Sequence, residues 1–207
     1  DSTPSPTDPT TAGTVATGET SSPTGGETMS STTGIDVTVT STAHHMGRPV
    51  DETNPHLHGR YKPWRAYGQA KLANYHFGLG LDRQLRAAGA TTASLIAHPG
   101  LSNTDLQART VREGGGGASA PFFHTLAERT GMSAAQGALP QLRAATDPAA
   151  RGGEFYAPRF VTNGPPVRRP VLRSWDLDRG IATLWRGSQH ETGIGLDVAT
   201  TLAELDR

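Results

Sequence analysis

Two side chains set four residues apart, Tyr67 and Lys71, are the pair in this sequence best suited to chemistry. They stand in Arg65-Ala66-Tyr67-Gly68-Gln69-Ala70-Lys71-Leu72-Ala73-Asn74, where apolar residues recur at helical steps. On a helix, residues i and i+4 lie on one face, one above the other. An ammonium beside a phenol favours the phenolate and draws its pKa down from about 10, so the tyrosine can give or take a proton near neutral pH. The chain holds four tyrosines and only two lysines, Lys62 and Lys71. Random placement gives about 0.04 such spacings, yet a short motif carries weight only with partners elsewhere. Without them, Tyr67 reads as a core residue and Lys71 as a solvated one.

The elements that must position the pair lie on both sides of it. Ile35-Asp36-Val37-Thr38-Val39-Thr40 alternates apolar and polar residues with period two and predicts a strand. It runs into Ser41-Thr42-Ala43-His44-His45-Met46-Gly47-Arg48, and the carboxyl end of a strand is where open α/β sheets place ligand-contacting groups. A polar loop over 49–63 follows, with His56 and His58. The spacing of Ala66, Ala70, Ala73, Phe77, Leu81 and Leu85 predicts a helix over 64–88 with these residues as its buried stripe. Gly78 and Gly80 inside it each cost about 1 kcal/mol relative to Ala, and Gly89 ends it. Residues 91–97 predict a second strand, broken by His98-Pro99-Gly100. Strand, helix and strand make a βαβ unit with parallel strands and a right-handed crossover.

Further along, 101–112 is polar and reads as a loop or short helix. Gly114 to Gly117 lacks the Lys-Ser/Thr of a nucleotide-binding loop. Ser133 caps a helix over 134–145 with Leu139 and Leu142 turned inward. Glu154-Phe155-Tyr156 is a short strand, 158–170 is Pro-rich and irregular, and 175–191 is an amphipathic helix through Leu177, Ile181, Leu184 and Trp185.

Composition narrows the classes. Nineteen acids balance nineteen Lys plus Arg, so no bulk field points to nucleic acid or an anionic membrane. No cysteine is present, which excludes disulfides and thiolate metal sites and fits a reducing, cytoplasmic setting. No apolar run approaches the roughly 18 residues of a membrane span. Residues 1–33 are rich in Thr, Ser, Pro and Gly and have almost nothing to bury, which predicts a disordered tail. His44, His45, His56 and His58 are imidazoles that can ligate zinc, but none pairs at i, i+4 on a predicted helix, so no metal is expected.

With a serine closing the first strand, Tyr and Lys on the helix and Pro-Gly after the second strand, the chain resembles the short-chain dehydrogenase/reductase family. The likeness is to its retinol-dehydrogenase-like branch and spans about 35–190. It rests on Val37-Thr38-Val39-Thr40-Ser41-Thr42-Ala43-His44, on Arg65 to Asn74, and on Ala97-His98-Pro99-Gly100-Leu101-Ser102-Asn103-Thr104. Gly137-Ala138-Leu139-Pro140 and Gly152-Gly153-Glu154-Phe155-Tyr156 also look like that branch. The resemblance implies catalytic roles for Ser41, Tyr67 and Lys71. Tyr67 would exchange the proton with the substrate oxygen, Ser41 would polarise that oxygen, and Lys71 would lower the tyrosine's pKa. Lys71 would also bind the nicotinamide ribose, making Tyr67, Lys71, Pro99, Gly100 and Thr104 contacts of NAD or NADP. The implied substrate is a small hydrophobic alcohol or carbonyl, bounded by 103–120 and 158–170, and the full-length form would be a homo-oligomer.

The chain departs from that pattern upstream. It begins at Asp1, and the glycine-rich dinucleotide fingerprint, the adenine-side motif and a relay asparagine are missing. The expected fold class is therefore α/β, a truncated Rossmann-like doubly wound parallel sheet without its N-terminal dinucleotide-binding half. The expected division is a tail over 1–33, the family's C-terminal part over 34–192 and a second tail over 193–207. A frameshifted or incomplete gene product would account for this, and such a chain would bind dinucleotide weakly or not at all. The missing strands would leave an exposed sheet edge and an uncovered apolar helix face. The alternative function is a non-catalytic remnant that at most associates with a partner through exposed helices.

Overall fold

The structure, a computed structural model, describes residues 34–59, 61–101, 131–171 and 176–205. The alternating segment forms strand β1, Gly34–Val39. It pairs in parallel with β2, Thr92–Ala97, from Gly34 opposite Thr92 to Val39 opposite Ala97. β2 pairs in parallel with β3, Phe155–Pro158, and β3 pairs antiparallel with β4, Pro166–Arg169. The result is a mixed four-stranded sheet in the order β1-β2-β3-β4 within an α/β fold. β4 corrects the expectation of irregular chain over 158–170. Its prolines do not prevent pairing, because Pro158 and Pro166 face each other at the end of the ladder and β4 is an edge strand, where a missing N–H is tolerated.

Between β1 and β2 runs helix α1, Pro63–Ala87, which opens on a proline. It closes through Gly89 at φ +70°, with the Ala90 amide donating to the Leu85 carbonyl at 2.9 Å. The expected buried stripe is corrected. Ala70 is exposed and Ala66, Ala73, Phe77 and Leu81 are half-buried, while Gln69, Tyr75, His76, Leu79, Asp82 and Leu85 are buried. The inward face carries three polar side chains, so a count of apolar spacings rotates the helix toward its small, solvent-facing alanines.

Successive β2 residues feed opposite layers. Ile96 joins Tyr75, Leu79, Phe155, Leu177 and Ile181 in one cluster, between the sheet and helices α1 and α3, the latter Leu177–Thr192. Leu95 and Ala97 join Tyr156 and Ala144 in the other, beneath α2, Ala134–Thr146. Ser133 caps α2 in a full capping box with Gln136, but Leu139 and Leu142 are exposed, a second correction. Gly137, Pro140 and Ala144 are the buried residues of α2 instead.

Glycines set how closely the layers meet. A Cβ on Gly80 would lie 2.4 Å from Trp185 Nε1, and one on Gly180 2.4 Å from His76 Cε1, so α1 and α3 cross by mutual small-residue contact. Lower on α1, the Asp82 carboxylate is buried and ion-paired with Arg86 Nη2 at 2.5 Å, with Gly152 pressed against it. Burial raises the Asp82 pKa against the lowering effect of Arg86. Helix α4, Val198–Leu205, lies within residues 193–207, and its Val198 is buried. Among the described residues no helix is long and apolar enough to cross a membrane.

Candidate active site

Ser41 follows the last residue of β1's ladder connection, where Thr40 N donates to the Ala97 carbonyl at 2.8 Å. It caps a short 3-10 helix, Thr42–Met46, its Oγ accepting from the Ala43 amide at 3.3 Å. Accepting that bond uses one lone pair and leaves the hydroxyl proton available to donate.

Three contacts tie this corner to α1 beside the tyrosine and lysine. Thr40 Oγ1 donates to the Lys71 carbonyl at 2.6 Å, and Asn74 Nδ2 donates to the Val39 carbonyl at 3.0 Å. Gly68, next to Tyr67, meets Gly47 so closely that a Cβ on Gly47 would lie 2.3 Å from the Gly68 carbonyl oxygen. Within α1, the Lys71 ammonium lies 5.7 Å from the centre of the Tyr67 ring. Both side chains are half-buried, and Lys71 has no ion pair among the described residues. Ser41, Tyr67 and Lys71 thus stand on segments bonded directly to each other. Thr40, Gly47 and Asn74 were missed by sequence reasoning, although Asn74, one turn beyond Lys71, was a polar residue with a reason to be there.

Pro99 and Gly100 follow β2 at the same end of the sheet. Gly100 adopts φ +76°, and a Cβ there would lie 2.5 Å from the Thr162 carbonyl oxygen, so only glycine suits the position. Its amide donates to His98 Nδ1 at 2.9 Å. Thr104 and the expected rim over 103–120 lie outside the described residues.

The histidines divide. His44 is buried, with its Nδ1 2.6 Å from the Ser41 carbonyl and its ring stacked on Tyr75 at 4.7 Å. Burial lowers the pKa of His44, and brings His76 and His98 to about 4. His45 is exposed, His56 meets Glu191 at 2.6 Å, and His58 lies 5.8 Å from His56. Among the described residues no group of three His, Asp or Glu side chains is arranged for a metal. A cavity of about 430 Å³ lies between 49–53 and the start of α3, lined by Glu52, Asp176, Arg179 and Arg186 among others, and does not include Ser41, Tyr67 or Lys71.

The Lys71 ammonium, with no ion pair among the described residues, is a donor of the kind that can bind sugar hydroxyls. Among the described residues no strand is followed by the G-x-G-x-x-G turn of a dinucleotide site.

No family model matches the chain. It is 46% identical over 72 residues to a polyprenol dehydrogenase from Mus musculus, covering 34% of this chain and 21% of that protein. It is 35% identical over 113 residues to the short-chain dehydrogenase/reductase prx1 of Penicillium roqueforti, covering 53% of this chain and 30% of that one. A crystal structure of an uncharacterized protein from Mycobacterium Paratuberculosis is 34% identical, with a TM-score of 0.56 over 79% of this chain and 52% of its own. The chain therefore spans less than a third of these two curated relatives and about half of the solved chain.

Proposed function

We propose, from its similarity over part of its length to short-chain dehydrogenase/reductase proteins, that this chain carries the catalytic part of an NAD(P)-dependent oxidoreductase interconverting an alcohol and a carbonyl. The observation that carries the reading is Lys71 stacked toward Tyr67 on a helix bonded, through Thr40 and Asn74, to the strand that delivers Ser41. In this reading the mixed sheet is one half of a Rossmann-like doubly wound sheet. When bound, the nicotinamide supplies or accepts the hydride.

The chain's own residues do the rest. Carbonyl reduction builds negative charge on the substrate oxygen, which Ser41 relieves by donating its hydroxyl proton in a hydrogen bond. Tyr67 delivers its phenolic proton to that oxygen, and in the reverse direction takes it back. Lys71 stabilises the phenolate left behind and holds the ribose hydroxyls, while Pro99 and Gly100 border the nicotinamide. The similarity to a polyprenol dehydrogenase favours a hydrophobic alcohol or aldehyde as substrate.

Turnover of NADPH or NADH with a long-chain aldehyde tests this. Tyr67→Phe keeps the ring and removes the proton, and the rate falls by about 10²–10⁴-fold. An undiminished rate would refute the role of Tyr67. A second reading, association with a partner, is favoured by β1: it pairs on one side only among the described residues and exposes Ile35 and Val39. Sizing the chain at rising concentration separates the two.

A further inference from the structure

We propose that His98 is the positioning residue of the Pro99–Gly100 loop, its Nδ1 fixing the Gly100 backbone in the conformation that borders the cofactor. The inference rests on the oxidoreductase reading for what the loop does, and on the local geometry for how the loop is held.

Pro99 has no N–H, so the chain leaving β2 cannot be anchored at that residue by a backbone donor. The first available donor is the Gly100 amide, and it turns back to His98 Nδ1 at 2.9 Å. His98 is itself fixed. Its own amide donates to the Tyr156 carbonyl at 3.0 Å, extending the β2–β3 pairing, and its ring is buried with its centre 5.5 Å from that of Phe155. The next residue is tied too, Leu101 N donating to the Thr162 carbonyl at 2.7 Å. The loop is therefore pinned at two successive amides, one by a strand-end side chain and one by the loop between β3 and β4.

The bond requires a specific protonation state. Nδ1 accepts only when it carries no proton, so His98 is neutral with its proton on Nε2. Its surroundings hold that state: burial drives the pKa to about 4, and the groups acting on it from neighbouring elements, His44, His45 and Arg169, all disfavour a further positive charge. Protonation would replace the acceptor by a second donor and release the Gly100 amide.

The test uses the whole chain and two variants. His98→Asn keeps an acceptor that can take the amide two residues on, the geometry of an Asx turn. His98→Phe keeps a buried ring and removes the acceptor. Exchange of the Gly100 amide proton, read by NMR in ¹⁵N-labelled protein at pH 7, should accelerate at least about tenfold in His98→Phe and return to within about threefold of the parent in His98→Asn, with other β2 amides unchanged in both. NADH binding should weaken in His98→Phe and recover in His98→Asn in parallel. Unchanged Gly100 exchange in His98→Phe overturns the proposal. Altered exchange with unaltered NADH affinity overturns its cofactor half, and failure of the parent chain to bind NADH overturns the oxidoreductase reading while the amide still reports on the loop.

Discussion

Ser41 illustrates how much one hydroxyl is asked to do. Its oxygen accepts from the Ala43 amide while its proton stays free for a substrate oxygen, so it is at once a cap and a candidate donor. Ser41→Ala removes both. The lost cap costs about 1 kcal/mol of stability, whereas loss of a hydrogen bond to the developing alkoxide costs about 10²-fold or more in turnover. Comparing denaturation midpoint with kcat/KM separates the two effects; a rate that falls no further than stability explains would remove the catalytic role. At this scale Tyr67 and Lys71 were singled out by type and spacing, and Ser41 and Gly100 by the resemblance to a family. His98 was legible only as a strand breaker, because an acceptor bond to the second residue on depends on a loop conformation that spacing does not encode.

At the scale of elements, the βαβ order and the ends of α1 followed from patterning, but the buried face of α1 did not. Gln69, His76 and Asp82 point inward and Ala70 outward, and hydropathy ranks these in the opposite sense. The glycines of α1 make the same point. Helix propensity says Gly80→Ala should stabilise by about 1 kcal/mol. The contact with Trp185 says the reverse, and overpacking of this kind costs about 1–3 kcal/mol. We expect a net loss of stability, checked by thermal or urea unfolding, and a gain would mean that α1 and α3 do not cross as closely as described. β4 and the exposed Leu139 and Leu142 were likewise hidden, since edge pairing by a proline-bounded strand and a helix seated on Gly137, Pro140 and Ala144 both run against composition.

For the whole molecule, buried neutral histidines set the response to acid. His76 and His98 have folded pKa values of about 4, lowered chiefly by burial, against about 6.5 unfolded. The unfolded chain therefore binds more protons below pH 6.5, and stability is present at pH 7 and is lost as pH falls toward 4 and below. Each histidine accounts for roughly 3 kcal/mol at pH 4, and His44, shifted in the same direction, adds to it. Urea midpoints measured between pH 7 and 4.5 should fall steeply, and His76→Phe should flatten the curve. A profile with no slope in that window would show these rings to be solvated.

The central proposal is that Ser41, Tyr67 and Lys71 act at the nicotinamide end of a dinucleotide. Titrating the chain with NADH and with reduced nicotinamide mononucleotide, following nicotinamide fluorescence, tests it most directly. The two ligands should bind within about threefold of each other, because the proposed contacts are all to the nicotinamide and its ribose, and Lys71→Ala should weaken both by about tenfold. Binding of neither ligand, or tight NADH binding with none of the mononucleotide, would contradict the account.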